Sequence, residues 1–231
     1  DNRPGASTNI GMDFVAKASA DGYTIMMASN SLATNAALFN KLSFNPATDF
    51  APVARIGEAS LVVVVPAKSS ITSMKGLIAQ AKAEPGKLSF GSAGNGSSGH
   101  LAGEMLKESA GIDVLHVPYK GGAPAITDLI GERLTFMPIN PLELISHIKS
   151  GTLRPLAVAS ASRSALLPNV PTSKEEGLPA FTASVWWGLV APAKTPAPVV
   201  KALNTAANAA LNDADVRKQL GQLGVTIVSG T

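Results

Sequence analysis

The chain has 231 residues, 45% of them hydrophobic and 15% charged, so it is long enough for one large or two small domains and too apolar for a disordered segment. Its net charge of +3 comes from lysines and arginines scattered singly along the chain, which does not favour nucleic-acid binding. Cysteine is absent, and no apolar run approaches the roughly 20 residues of a membrane span. Disulfides, thiolate metal sites and direct membrane insertion are therefore not expected.

Strand-like and helix-like segments alternate along the chain, which predicts β-α-β units, an α/β fold and a mainly parallel sheet. Residues 1–11 have the composition of a loop. In chain order, strands are predicted at 23–29, 61–65, 87–90, 113–117, 134–139, 153–160, 186–193 and 225–229. Helices are predicted between a cap at Thr72 or Ser73 and Pro85, between Leu101 and Gly111, at 126–130, at 141–150, from Pro196 through Ala210, and from Asp213 to Leu223. The β-branched run 61–65 is expected to be covered on both faces.

The segment FGSAGNGSSGHLAGEML, residues 90–106, contains Gly94-x-Gly96-x-x-Gly99 between a strand and a helix. This spacing is typical of a dinucleotide-binding turn, but the backbone N–H groups at such a helix start attract any anion. A dinucleotide site also needs an acidic residue at the end of the next strand, and here that strand is followed by Pro118, Tyr119 and Lys120. We therefore interpret the loop as a site for a smaller anion such as a carboxylate.

Two alternatives to the small-anion site stay open at this point. In the first, Lys120 faces a 2′-phosphate and the chain is an NADP-dependent enzyme that uses the Gly94-x-Gly96-x-x-Gly99 turn. In the second, the glycines only allow the strand and helix to pack closely. Two further polar loops, YKGGAPA at 119–125 and ASNSLATN at 28–35, also follow predicted strands, and carboxyl ends of strands are where α/β proteins bind ligands.

Catalytic and metal-binding patterns are weak. The three histidines, His100, His116 and His147, lack the spacing of a metal site, so we expect no metal and no cofactor. His116 is expected within a strand, and His147 on the exposed side of a helix. His100 follows Ser98 as G-x-S-x-H, not as the G-x-S-x-G nucleophile elbow, and no carboxylate is placed to orient it. A hydrolase is thus poorly supported, and Trp186 with Trp187 is interpreted as core packing, a ligand platform or a hinge anchor.

Six segments, taken in order, carry a resemblance to a known family. They are NRPGASTNIG, ADGYTIMMAS, FGSAGNGSSGHLAGEML, HVPYKGGAPAITDLIGERL, LRPLAVASASRSALLPNVPTSKEEGLPAF and WWGLVAPAKTP. Together they span nearly the whole chain, and the chain resembles the Bug family, the periplasmic solute receptors of tripartite tricarboxylate transporters. The resemblance implies a class II-like periplasmic binding protein with two Rossmann-like α/β domains and a ligand cleft between them. Domain 1 would comprise 1–63 and 187–231, and domain 2 would comprise 64–186.

The resemblance also implies a function. The protein would not be an enzyme; it would capture a small organic carboxylate through backbone amides, hydroxyl groups and waters, without a cofactor, and present it to membrane permease subunits. We expect a periplasmic monomer, although residues 1–11 are no signal peptide. The implied ligand-binding residues are Ser29, Asn30, Ser92, Ala93, Gly94, Asn95, Gly96, Ser97, Ser98, Tyr119, Lys120, Gly121 and Gly122.

Two departures from the family pattern stand out. GAST, residues 5–8, stands where members carry more glycine, which is expected to stiffen that loop. Members also extend further at both ends, with a strand and a glycine-rich loop before NRPG and a helix after the last strand. The chain is therefore interpreted as truncated at both ends.

Overall fold

In a computed structural model, which describes residues 1–3, 5–228 and 230, the chain forms two compact units. Unit 1 comprises Asp1–Glu58 and Trp186–Thr231, and unit 2 comprises Ala59–Val185. The chain therefore passes from one unit to the other twice, at 58/59 and at 185/186, against predicted boundaries of 63/64 and 186/187.

The strands are β1 (Met26–Ala28), β2 (Phe50–Ser60), β3 (Val62–Pro66), β4 (Ser89–Ser92), β5 (Leu115–Pro118), β6 (Met137–Ile139), β7 (Leu153–Val158), β8 (Ser184–Pro192) and β9 (Thr226–Ile227). The helices are α1 (Asn9–Ala16), α2 (Ser31–Leu38), α3 (Met74–Ala83), α4 (Ser98–Ala110), α5 (Gly122–Ile130), α6 (Pro141–Lys149), α7 (Ala197–Asn212) and α8 (Ala214–Gln222). A 3-10 turn at Ala6–Thr8 leads into α1. None of the helices in the described ranges is both long and apolar enough to span a membrane.

Unit 1 is built on a four-stranded sheet in the order β1-β8-β2-β9. The outer pairs, β1 with β8 and β2 with β9, are antiparallel. One cluster of apolar side chains packs α1 onto the rest of this unit. It includes Phe44 and Phe50, whose ring centroids are 5.7 Å apart in an edge-to-face arrangement. On α7, the Asn204 side chain donates to the Val53 carbonyl at 2.7 Å, which ties that helix to β2.

Unit 2 places β4 between β5 and β6. The β4–β5 pair is parallel, and a parallel bridge between Phe90 and Phe136 joins β4 to β6. Beyond β6 the sheet continues through β3 to β7. On one face lies α4, whose Gly103 leaves room for the ring of Phe90: a Cβ at position 103 would stand 2.0 Å from a carbon of that ring.

The prediction of a mainly parallel sheet is wrong. In unit 1, β1 pairs antiparallel with β8 and β2 with β9, and in unit 2, β3 runs antiparallel to both β6 and β7. The burial of its run was predicted correctly, since Val62, Val63, Val64 and Val65 are all at most 1% exposed. Burial on both faces follows from position inside the sheet and does not fix strand direction, so the β-branched pattern could not reveal it.

Other differences lie in unit 1. The loops predicted at 1–11 and 28–35 contain the 3-10 turn, the start of α1 and the first half of α2, and β2 was not predicted. Serine, threonine and asparagine favour turns and caps, so these segments were predicted as loops and not as helices. Of the strand predicted at 225–229, β9 covers two residues, and Ser229 lies outside the described residues.

Caps are present at three of the predicted helix boundaries. The side chain of Ser73 accepts from Gly76 N at 3.1 Å at the start of α3. The side chain of Asp213, which precedes α8, accepts from Asp215 N and Val216 N in the first turn of that helix. Gly111 ends α4 in the left-handed conformation, at φ 60°.

Candidate functional site

Three strands of unit 2 that lie side by side each end at the start of a helix. β4 leads into α4, β5 into α5 and β6 into α6, and parallel pairing brings these three junctions to the same edge of the sheet. We call the residues 92–98, 119–122 and 140–143 the strand-end site. All but two of the ligand-binding residues expected from the sequence lie in its first two segments.

The glycine loop, residues 92–98, is built around Ser92. This side chain is wholly buried; its Oγ accepts from Gly94 N and donates to Gly94 O, each at 3.1 Å. It also lies 2.7 Å from Nε2 of His116, a set of contacts that is satisfied when His116 carries its proton on Nε2. Gly94 and Gly96 adopt φ of 133° and 78°, a backbone conformation that residues other than glycine rarely adopt. Ser92 therefore anchors the loop and is too enclosed to touch a ligand.

Two histidines, His100 and His116, contact the glycine loop. Gly96 N donates to Nδ1 of His100 at 3.0 Å, and the rings of His100 and His116 are stacked 4.1 Å apart. Burial, followed by the neighbouring charge of His100, lowers the pKa of His116 to about 4. Burial also lowers the pKa of His100. Both rings are thus neutral near pH 7, and His100 acts as an acceptor for the backbone.

This arrangement does not bring together a nucleophilic pair. The serine that contacts a histidine ring is the buried Ser92, and the ring of His100 is occupied by the Gly96 amide. The Ser97 side chain instead caps α4 by accepting from the backbone N of His100 at 3.3 Å. Ser92 and Ser97 therefore serve the backbone, as an anchor and as a cap.

The third glycine of the motif has a packing role. A Cβ on Gly99 would stand 2.6 Å from the carbonyl oxygen of Pro138 on β6, closer than side chains allow. Glycine at this position lets α4 approach β6, as the packing interpretation of the motif supposed. Ser98 and Gly99 come just before His100, whose N–H is capped by Ser97. Their own N–H groups lie in the first turn of α4, at the helix end that carries positive partial charge.

The turn after β5 is locked onto the glycine loop. Tyr119 N donates to Ser92 O at 3.0 Å, and Gly121 N donates to Ala93 O at 3.2 Å. The Tyr119 hydroxyl is engaged elsewhere, because it donates to Asp128 on α5 at 2.8 Å. α5 then starts at Gly122 without a side-chain cap, so the N–H groups of its first turn, on Gly122 and Ala123, are available to an anion.

Asn95 and Lys120 lie at the surface. Both side chains are exposed, at the tips of the glycine loop and of the β5 turn. Neither residue is built into the site in the way that Ser92 and Gly96 are.

Sequence reasoning missed the third segment of the strand-end site. Asn140 precedes α6, and its Nδ2 donates to Glu143 Oε1 at 2.6 Å. The other carboxylate oxygen of Glu143 stands where a side chain on Gly122 would begin, 1.6 Å from an ideal Cβ. The available signal was the Asn-Pro pair between a strand and a helix, which marks a junction of the same kind as the other two.

The remaining two expected residues, Ser29 and Asn30, follow β1 in unit 1. Asn30 Oδ1 accepts from the backbone N of Trp186 at 3.0 Å, and the Oγ of Ser29 lies 3.3 Å from that of Ser31. Trp186 packs against the apolar cluster around α1, in agreement with core packing. Asn30 thus fastens β8 to the start of α2.

The loop 6–8 packs on the same helix. Ala6, Ser7 and Thr8 have φ of 45°, 54° and 69°, an uncommon conformation for residues with side chains. The buried amide of Asn35 donates to Ser7 O at 2.8 Å, and the hydroxyls of Thr8 and Ser31 are 2.8 Å apart. These contacts hold GAST in the shape that glycines would adopt more easily.

His147 is half-buried, with Nδ1 3.3 Å from the Thr152 hydroxyl, so it is less exposed than expected. Among the residues that the structure describes, no group of three or more histidine, cysteine, aspartate or glutamate side chains is placed to hold a metal ion.

Residues 1–231 match the family described as tripartite tricarboxylate transporter family receptor. The UPF0065 protein in the tcbD-tcbE intergenic region of Pseudomonas sp. (strain P51) is 40% identical over 231 residues, which are all of this chain and 69% of that protein. Protein BugT of Bordetella pertussis (strain Tohama I) is 38% identical over 232 aligned residues, covering all of this chain and 71% of BugT.

Comparison with solved structures gives relatives of the same kind. The structure titled R. palustris Rpa4515 with adipate is 35% identical with a TM-score of 0.96, covering all of this chain and 77% of that one. Periplasmic binding protein BugD is 33% identical with a TM-score of 0.93, over 99% of this chain and 76% of BugD. MatC (Rpa3494) from Rhodopseudomonas palustris with bound malate is 29% identical with a TM-score of 0.90, over 96% and 76%.

These findings confirm the periplasmic binding-protein fold and the receptor interpretation of the sequence, and they give no support to an NADP-dependent enzyme. The glycine motif in this chain is a part of a solute receptor. By its sequence and its structure, the chain belongs to the tripartite tricarboxylate transporter receptor family.

Proposed function

We propose that this chain binds a small organic carboxylate at the strand-end site and delivers it, in the periplasm, to membrane permease subunits of a tripartite transporter. The observation that carries the proposal is the pair of backbone hydrogen bonds that joins loops 92–98 and 119–122, the segments that lead into α4 and α5. The adipate and malate named with two relatives are carboxylates of this kind.

The chemistry of the site supports an anion held by the backbone. Ser98, Gly99, Gly122 and Ala123 supply first-turn N–H groups, and the two helix ends add positive partial charge. Each hydrogen bond to a charged group contributes about 1.5 to 3 kcal/mol. Four such donors, together with the half-buried Ser97 and Ser98 hydroxyls, suit the two oxygens of one carboxylate.

Several expected residues take a supporting role in this proposal. Ser92, Gly94, Gly96 and Tyr119 shape and join the loops, whereas Asn95 and Lys120 lie at the rim. Ala93 and Gly121 contribute the hydrogen bond between the loops. Ser29 and Asn30 stay candidates for ligand contacts made by unit 1. We further propose that the protein is a monomer without enzymatic activity and that it uses neither a cofactor nor a metal.

Isothermal titration of the full-length protein with succinate, malate, citrate, benzoate, NAD and NADP tests the proposal. At least one carboxylate should bind and neither nucleotide should. The informative variant is Ala123→Pro, because proline fits the first turn of a helix but removes one N–H donor. Losing one donor to a charged ligand should weaken binding about tenfold or more.

Ala197→Pro is the matched control, since Ala197 also precedes a proline in the first turn of a helix, α7 in unit 1. This variant should bind the carboxylate like the wild type. Binding of NADP with no carboxylate bound would contradict the proposed function. Equal weakening by both proline variants would contradict the assignment of the donor on α5.

A further inference from the structure

Glu143 places a carboxylate of the protein inside the strand-end site. Its Oε2 would overlap any side chain on Gly122, since it stands 1.6 Å from an ideal Cβ there. Gly122 is the first residue of α5. The negative charge of Glu143 therefore lies against the uncapped helix end where the backbone donors begin.

The orientation of this carboxylate is fixed by Asn140. Nδ2 of Asn140 donates to Oε1 of Glu143 at 2.6 Å, and both side chains are half-buried. Because the amide nitrogen faces a carboxylate, the Asn140 amide cannot be reversed without setting oxygen against oxygen. Glu143 is consequently held in place before any ligand arrives.

Asn140 leaves a second acceptor in the same segment. Its Oδ1 is shielded from solvent and has no hydrogen-bond partner among the described residues. A buried polar atom without a partner costs about 1 to 3 kcal/mol. A donor from outside the chain would recover that loss only if this segment moved to expose the oxygen.

The strand-end site thus combines two kinds of group. The starts of α4 and α5 offer backbone donors for a carboxylate, and Glu143 with Asn140 offers acceptors beside them. Gly99 lies against the carbonyl of Pro138, two residues before Asn140, so the start of α4 packs on the segment that leads to Asn140 and Glu143. A plain carboxylate would satisfy the donors and be repelled by Glu143.

We propose that Glu143 selects carboxylates that carry a hydrogen-bond donor next to the bound carboxylate, with an ammonium group preferred to a hydroxyl group and a hydroxyl group preferred to none. This deepens the proposed function and rests on it. The ligand class is then the 2-amino and 2-hydroxy acids. An ammonium group would be paired with the charge of Glu143, and a hydroxyl would donate to the same carboxylate.

Titration of the full-length protein with succinate, malate and aspartate tests this selection, because these three acids differ mainly in the group on the second carbon. The wild type should bind aspartate at least tenfold more tightly than succinate, with malate between them. Glu143→Gln should reduce the aspartate to succinate ratio by about tenfold or more, since it removes the charge and keeps the size. Succinate should bind the variant as tightly as the wild type or more tightly.

Glu108→Gln is the matched control, because Glu108 is exposed on α4 and lies outside the strand-end site. It should leave the affinity ratios of the wild type unchanged. An unchanged ratio in Glu143→Gln, or an equal change in all three affinities, would show that Glu143 has only a structural role. Binding of carboxylates from outside the series alone would also overturn the selection while the proposed function stands, whereas the absence of binding to any carboxylate would overturn the proposed function itself.

Discussion

Nε2 of His116 lies 2.7 Å from Oγ of Ser92, and this contact ties the middle of β5 to the last residue of β4. The Ser92 hydroxyl also meets the backbone of Gly94 on both its N–H and its carbonyl side. One buried side chain thereby holds the strand, its neighbour and the glycine loop together. Two consequences for stability follow from this contact, and each can be measured.

Ser92→Ala should destabilise the protein by about 1 to 3 kcal/mol, because Gly94 N and Nε2 of His116 would be left buried without a partner. Urea unfolding followed by circular dichroism measures this change. Carboxylate affinity should fall as well, since the loop loses its anchor. Ser70→Ala, at an exposed serine, should unfold like the wild type; a Ser92→Ala protein of unchanged stability would show that the anchor is dispensable.

Stability should depend on pH through the stacked histidines. Burial lowers the pKa of His116 from an ordinary 6.5 to about 4, so the unfolded chain takes up a proton at a pH where the folded chain does not. The free energy of unfolding should therefore decrease as the pH falls from about 6.5 to about 4, and this contribution should not change further below that. The lowered pKa of His100 acts in the same direction.

Urea unfolding at several pH values between 7 and 4 measures this effect. His116→Gln keeps a side chain that can reach Ser92 but cannot titrate, so its stability should change less with pH than that of the wild type. If the two proteins lose stability in parallel, the source lies in other groups.

Lys120→Ala should weaken carboxylate binding only modestly, by a few-fold, because the side chain is exposed at the rim and exposed ion pairs contribute about 0 to 1 kcal/mol. Isothermal titration measures the difference, and Lys194→Ala in unit 1 is the control for a lost surface charge. Loss of carboxylate binding in Lys120→Ala alone would mean that a cation, and not the backbone, holds the ligand.

Gly103→Ala and Gly221→Ala should have opposite effects on stability, although both lie inside helices. A methyl group at position 103 would meet the Phe90 ring at 2.0 Å, and such overpacking costs about 1 to 3 kcal/mol. Position 221 has no atom within 4 Å of a new Cβ, so the variant should gain up to about 1 kcal/mol from helix propensity. Thermal unfolding of the two variants side by side checks the opposite signs.

Asn35→Ala should destabilise unit 1 by about 1 to 3 kcal/mol, because the amide of Asn35 is fully buried and donates to Ser7 O and to Asn9 Oδ1. The left-handed run at 6–8 would lose one of its supports. Hydrogen exchange at the start of α1 should become faster. Thr205→Ala, at an exposed position of α7, serves as the control, and unchanged exchange in Asn35→Ala would argue against this support.

The sequence was most informative where one residue type has one physical use. Glycines with positive φ marked the loop at 94–96 and the end of α4, and Asp213 marked the start of α8. The direction of a strand and its neighbours in the sheet were harder to predict. The buried valines of β3 look alike in parallel and antiparallel sheets, and β2 contains Pro52, Gly57 and charged side chains that obscure a strand.

The composition of the site was predictable only in part, for a similar reason. Loops that carry their own donors, such as 92–98 and 119–122, could be found from local sequence. Glu143 reaches the site from a helix that begins after another strand, and its nearness to Gly122 depends on the packing of α5 beside α6. No spacing in the sequence expresses that distance.

The close approach of Gly99 to the Pro138 carbonyl has a consequence for how enzymes are sought in genomes. Of the three glycines in Gly94-x-Gly96-x-x-Gly99, the last is required by the backbone of a neighbouring strand and would be required whether or not a nucleotide was bound. A pattern search for dinucleotide enzymes would retrieve this receptor for that reason. The search could also require an acidic residue after the next parallel strand. This chain has Tyr119 and Lys120 there, so such a condition would remove it and similar receptors from the results.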